Sequence, residues 1–243
     1  HSTPKFSFQV ISTCLLIHFS YFCAFIFVQG KAVLTQTTLD SCLMTSPSFD
    51  WIAHHASVRG DKLAVHDLDS DRKFTYSQMN ERTSRLAAAL REAFSIKRGD
   101  RVAVLAENDS NFFEVQFACW KLGAVFVPLN WRLSIPELEY IVGDADPDVI
   151  IHDDAFVDNA TKLAELCQID HRISWGSDTQ GSATYEEVLT SHEPLSGSEK
   201  CTHDDTLTIM YTSGTTGRPK GAIITQGMTF WNAVNCVEYY GCA

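Results

Sequence analysis

From residue 75 to residue 151 the chain alternates short apolar runs with stretches whose apolar residues recur at helical spacing, which confines it to a layered α/β fold. Thr75-x-x-Gln78 is a capping-box pattern, and Met79, Leu86, Ala87 and Leu90 then share one helical face. A turn at Gly99-Asp100 precedes an apolar strand over 101–106. Asp109 or Ser110 can cap the next helix, which carries Phe113, Phe117 and Trp120, and Gly123 suits its left-handed stop. A strand follows over 124–129. Ser134-x-x-Glu137, with Pro136 in the first turn, opens another helix ahead of a strand over 148–151, and Thr184-x-x-Glu187 repeats the device. The polar stretches 174–181 and 191–200 read as surface loops around that short helix. Such alternation predicts mostly parallel sheets covered by helices, with ligand sites beyond the carboxyl ends of the strands.

One loop concentrates the chemistry. Residues 209–221 read Ile-Met-Tyr-Thr-Ser-Gly-Thr-Thr-Gly-Arg-Pro-Lys-Gly, between apolar runs at 207–211 and 222–225 that read as strands. Gly214, Gly217 and Gly221 let backbone N–H groups approach an anion, and Thr212, Ser213, Thr215 and Thr216 add hydroxyl donors. Lys220 supplies a mobile cation suited to phosphate oxygens, and Pro219 stiffens the exit. Clusters of Thr, Ser and Gly ordinarily mark solvated turns. Here the order of residues argues for a polyphosphate cradle. The loop lacks the Gly-Lys-Ser/Thr ending of the P-loop NTPases, because Lys220 follows Pro219 and precedes Gly221 and Ala222.

Position by position, this loop resembles the AMP-binding signature of the adenylate-forming enzymes, which include acyl-CoA synthetases, luciferases and the adenylation domains of peptide synthetases. Residues 74–80, 86–90, 98–104 and 121–141 continue the likeness, with Pro128-Leu129-Asn130-Trp131-Arg132-Leu133 among them. The wording is closest to the fatty-acyl-CoA synthetase branch. The resemblance implies that residues 44–243 are an incomplete AMP-binding domain, the N-terminal part of a large α/β domain. It also implies ATP, Mg2+ and coenzyme A as partners of a small carboxylic acid. By the same resemblance Thr212, Ser213, Gly214, Thr215, Thr216, Gly217 and Lys220 bind the β- and γ-phosphates, with Thr215 and Lys220 as the catalytic pair. Two rival readings differ in kind: an adenylating enzyme that delivers to a carrier-protein thiol or another acceptor, and a truncated, inactive piece.

Composition narrows the classes further. Lys and Arg number 19 against 30 Asp and Glu, a net charge of -11, which argues against a nucleic-acid surface. Eight cysteines form no C-x-x-C pair and no tight zinc spacing, so reduced thiols rather than a metal site are expected, and no protein metal ligands are assigned. His54 and His55 read as surface histidines. Asp69, Asp71, Asp153 and Asp154 read as solvated turn carboxylates.

The first 43 residues depart from the family pattern. Residues 10–28 are almost continuously apolar, consistent with a signal peptide or a membrane anchor. The chain begins at His1, and Met44 is its first methionine, so a mis-assigned upstream extension is the leading reading. A genuine anchor would bring an otherwise cytoplasmic enzyme to a membrane. At the other end the chain stops at Ala243 within a helix carrying Trp231, Val234 and Val237, before the family's magnesium-binding glutamate, ribose-binding aspartate and small C-terminal domain with its lysine.

Overall fold

A computed structural model describes residues 49–176, 180, 182–212 and 218–240. The segment 1–43, including 10–28, lies outside the described residues, as does 213–217 of the loop. The described chain opens with α1 (Trp51–Arg59), whose N-cap Asp50 accepts the Ala53 N–H at 2.9 Å. Strands β1 (Leu63–His66) and β2 (Lys73–Thr75) pair antiparallel as a separate small sheet.

The capping box predicted at Thr75 is present and starts α2 (Tyr76–Glu92). Its first turn is held by the Thr75 N–H donating to Gln78 Oε1 at 2.8 Å and the Gln78 N–H donating to Thr75 Oγ1 at 3.3 Å. Met79, Leu86, Ala87 and Leu90 are all fully buried, as their shared face requires. Then come β3 (Arg101–Leu105), α3 (Ser110–Leu122) and β4 (Val125–Pro128). Asp109 is the N-cap of α3, and Gly123 ends it with φ 67°, a left-handed angle that favours glycine.

Glu137 opens α4 (Ile135–Ala145) by accepting the Ser134 N–H at 2.8 Å. β5 (Val149–His152) leads through a 3-10 turn to α5 (Val157–Cys167), and β6 (His171–Ser174) follows. After β7 (Ala183–Thr184), α6 (Tyr185–Thr190) begins without the expected cap, because Thr184 makes no side-chain bond to the helix. Two acidic residues in its first turn, Glu186 and Glu187, favour the start electrostatically instead. β8 (Thr206–Thr212), β9 (Lys220–Thr225) and α7 (Gln226–Tyr240) complete the described chain.

Seven strands form one sheet in the order β7-β6-β5-β3-β4-β8-β9, with every pair parallel except β8 with β9. Alternate residues of a strand point to opposite faces, and the two cores follow that rule. Val102, Val104, Phe126, Val149 and Ile151 pack against Leu86, Leu90, Val115 and Leu189 on one face. Ala103, Leu105, Val127 and Ile150 pack against Leu138, Ile141, Val142 and Leu163 on the other. A third cluster under α1 holds Ile52, Tyr76 and Met79 with Phe113 and Phe117, so the aromatic stripe of α3 faces the small sheet.

Several polar residues sit deeper than the sequence suggests. His55 is buried beside the Tyr76 ring rather than exposed. Glu114 is completely buried and takes Arg82 bidentately at 2.7 and 3.0 Å, while the Tyr185 hydroxyl donates to it at 2.9 Å. Asp153 is half-buried, accepting the N–H groups of Glu107 and Ala155 at 2.9 Å each, whereas Asp69, Asp71 and Asp154 are exposed as expected. Cys119, Cys167, Cys201 and Cys236 are free thiols. Among the described residues no helix is long and apolar enough to cross a membrane.

Candidate functional site

β8 runs parallel to β4, with Phe126 aligned to Thr208, so its carboxyl end emerges at the same sheet edge as the ends of β3, β4 and β5. Beyond that edge β8 turns into β9. The predicted loop spans 212–221, but the ladder is longer than the sequence suggests: pairs continue through Met210 with Ala222 and Tyr211 with Gly221 to Thr212 with Lys220. Cross-strand pairing to an already placed β8 draws Lys220 and Gly221 into a strand despite their weak strand preference. The connector is thereby shortened to residues 213–219.

Of the predicted phosphate-binding residues, Thr212 and Lys220 face each other as the last pair of this ladder, and both are exposed. Ser213, Gly214, Thr215, Thr216 and Gly217 lie outside the described residues. A hydroxyl and an ammonium group at the mouth of a hairpin, on the ligand-binding edge of a parallel sheet, suit a phosphate chain. Among the described residues no group of three or more His, Cys, Asp or Glu is placed to hold a metal ion.

Tyr211 fixes the stem of the hairpin. Its ring packs on the apolar cluster beneath α4, and its hydroxyl donates to Asp144 at 2.6 Å. Burial, and then the bond to the Asp144 carboxylate, hold that hydroxyl protonated well above the usual phenol range. Gly221 lies directly opposite. A Cβ there would stand 2.8 Å from Ile209 Cγ2 and 3.1 Å from Tyr211 Cζ, so the bare glycine gives the ring its room.

Beside the hairpin a cleft of about 240 Å3 opens over the ends of β3, β4 and β8. Its walls include Asn108, Phe112, Trp131, Arg132 and Tyr211. The Arg132 guanidinium lies 4.0 Å from the centre of the Trp131 ring, and Phe156 and Phe126 back Trp131 and Phe112 at 5.8 and 6.1 Å. Flat aromatic walls with a cation at the rim suit an apolar organic group carrying negative charge. In the sequence Trp131 and Arg132 stand in the family-like run 121–141 with no role of their own, and Asn108 and Phe112 carry no motif. The available signal was positional: these residues sit in the turns after β3 and β4, or on the helix that the first of those turns opens.

The model of the AMP-binding enzyme family matches residues 52–242. The chain is 34% identical over 192 residues to the indoleacetate–CoA ligase of Aromatoleum aromaticum, covering 79% of this chain and 37% of that protein. It is 34% identical over 176 residues to the long-chain-fatty-acid–CoA ligase FadD13 of Mycobacterium tuberculosis, covering 72% and 34%. Among solved structures, ATP-bound MatB from Rhodopseudomonas palustris superposes with a TM-score of 0.67 at 26% identity, over 78% of this chain and 37% of that one. The chain thus spans about a third of the length of these relatives.

Proposed function

Because the chain belongs to the AMP-binding enzyme family, we propose that it provides the phosphate-handling hairpin of an enzyme that activates a carboxylic acid with ATP and passes the acyl group to coenzyme A. The observation that carries this reading is the Thr212–Lys220 pair at the carboxyl edge of the parallel sheet, next to an aromatic cleft. A carboxylate oxygen of the substrate attacks the α-phosphorus of ATP, the bond to the β-phosphate breaks, and pyrophosphate leaves. The thiol sulfur of coenzyme A then attacks the acyl carbon, loses its proton, and AMP departs.

Catalysis here is mainly positioning and charge stabilisation. Thr212, Ser213, Thr215 and Thr216, with the backbone N–H groups of Gly214 and Gly217, hold the β- and γ-phosphates. Lys220 neutralises the charge that builds on the departing pyrophosphate, and Thr215 donates to the same oxygens. A magnesium ion held with the nucleotide would supply further positive charge to the phosphates beside Lys220. The acid has an apolar body. A fatty acid is the specific reading, and the indole acid in one relative's name argues for testing aryl acids beside it. Residues 44–243 act as part of the large domain, in the cytoplasm, with membrane contact confined to 10–28 if that segment is an anchor.

These residues alone are expected to be inactive, so the test is pyrophosphate release by a complete homologous enzyme carrying the same loop, with ATP, Mg2+ and a panel of fatty and aryl acids. Thr215→Ala and Lys220→Ala should each slow release at least about tenfold, the scale for losing one charge-stabilising donor. Release that is unchanged in both variants sinks the assignment.

A further inference from the structure

The two sides of the nucleotide hairpin are tied to a single helix face. Tyr211, one residue before Thr212, donates its hydroxyl to Asp144 at 2.6 Å. Arg218, two residues before Lys220, places its guanidinium 5.6 Å from the centre of the Tyr140 ring. Tyr140 and Asp144 are four residues apart on α4 and therefore neighbours on one face. The opposite face of α4 is anchored in the core through Leu138, Ile141, Val142 and Ala145. The helix is thus a fixed reference, and each flank of the connector is held against it by its own contact. The contact of Tyr211 depends on Gly221, which leaves its ring space on the neighbouring strand.

We propose that Tyr140 and Asp144 are positioning residues for the nucleotide: by holding Arg218 and Tyr211 on α4 they set where Thr212 and Lys220 stand at the mouth of the hairpin. Neither touches the phosphates. The inference rests on the phosphate-binding reading of the hairpin. Its physical core is that a side chain on the end of the β8–β9 hairpin, with β9 paired on one edge only among the described residues, is placed no more accurately than the hairpin is anchored. The two contacts differ in strength. The Tyr211 bond ends on a carboxylate and is the stronger, whereas the Arg218 stacking is exposed and weaker.

The experiment is a displacement titration of trinitrophenyl-ATP by ATP on the full chain, run for the wild type, Tyr211→Phe, Asp144→Ala, their double variant, Asp144→Asn, Tyr140→Leu and Lys220→Ala, each with its melting curve. Tyr211→Phe and Asp144→Ala should weaken ATP binding by about three- to tenfold, the worth of one such bond. The double variant should be no weaker than the worse single, because both remove the same bond. Asp144→Asn keeps an acceptor and should bind nearly as the wild type does. Tyr140→Leu should lose about twofold. Additive losses in the double variant, losses that follow the melting temperature, or wild-type affinity in Tyr211→Phe and Asp144→Ala overturn the proposal. If Lys220→Ala binds ATP normally, the phosphate-binding reading fails and takes this inference with it; if Lys220→Ala is weak while the Tyr211 and Asp144 variants are normal, only the inference fails.

Discussion

The central strands and the outer hairpin of the same sheet are built to opposite rules. β3 and β5 carry Val102 to Leu105 and Val149 to Ile151 with no exposed surface, closed on one side by α2 and α3 and on the other by α4 and α5. β9 has Lys220, Gly221, Ala222 and Ile223 exposed in succession, and Met210, Met228 and Trp231 leave more apolar surface open nearby. Where both faces are covered, side chains are interchangeable in chemistry but not in volume. Where they are open, particular groups count: a hydroxyl, an ammonium group, a phenol tied to a carboxylate. On the proposed function, stability and ligand chemistry are therefore separable along this sheet, and substitutions can probe the separation.

The largest effect belongs on the packed side. Glu114→Ala strips one of its two carboxylate partners from Arg82 and the acceptor from the buried Tyr185 hydroxyl, and should cost about 3 kcal/mol in urea unfolding. Arg82 keeps Glu186 at 2.6 and 3.2 Å, so a loss under 1 kcal/mol would mean that the interior tolerates the stranded Tyr185 hydroxyl and the emptied carboxylate site, and would erase the contrast. Lys121 tests a neighbouring ion pair. It is almost buried and donates to Asp50 at 2.7 Å and to Asn80 at 2.9 Å. Burial alone would raise the Asp50 carboxyl, but the charge of Lys121, the Ala53 N–H and the bonds from Lys121 and Ser198 outweigh it and hold the carboxyl below its ordinary value.

A lowered carboxylate stabilises the fold above its unfolded pKa, and that contribution drains away as pH falls through the folded one. Wild-type stability should thus decline as pH is lowered from about 4, the region of the unfolded carboxylate. Lys121→Met should begin about 2 kcal/mol less stable at neutral pH and show a shallower acid decline. Equal acid slopes would remove Asp50 from the account. The smallest effect belongs on the open side: Ile223→Lys should shift unfolding by less than about 0.5 kcal/mol. It should also reduce self-association in sedimentation, since a charge on an exposed edge strand blocks strand addition. A cost above 1 kcal/mol would show that this face is packed after all.

The sequence exposed the local signals and concealed the distant ones. Thr75 with Gln78, and Asp109 with Gly123, mark helix ends because capping is settled within four residues or at a single left-handed turn. The burial of Glu114 could not be read the same way, since Arg82, its partner, lies on a different helix. Nor could the burial of His55, which follows from the packing of Tyr76, at the start of α2, against α1. The site divides similarly. The hairpin is proposed from composition, because hydroxyls, glycines and a lysine fall in one run, and the structure adds only that Thr212 and Lys220 pair at its mouth. The cleft could not be proposed that way, because Asn108, Trp131 and Tyr211 meet only when three strand ends are set side by side.

The strand order has a bearing on how the molecule comes into being. β4 lies between β3 and β8, yet β5, β6 and β7 are translated before β8 and all settle on the far side of β3. On a ribosome, where residues emerge a few per second, β3 to β7 can condense while β4 still shows Val125 to Val127 along an unpaired edge. Until Thr208 reaches Phe126, that open edge is a template for pairing with another chain. Newly made chains should therefore become compact before the β8–β9 hairpin takes its place on the sheet.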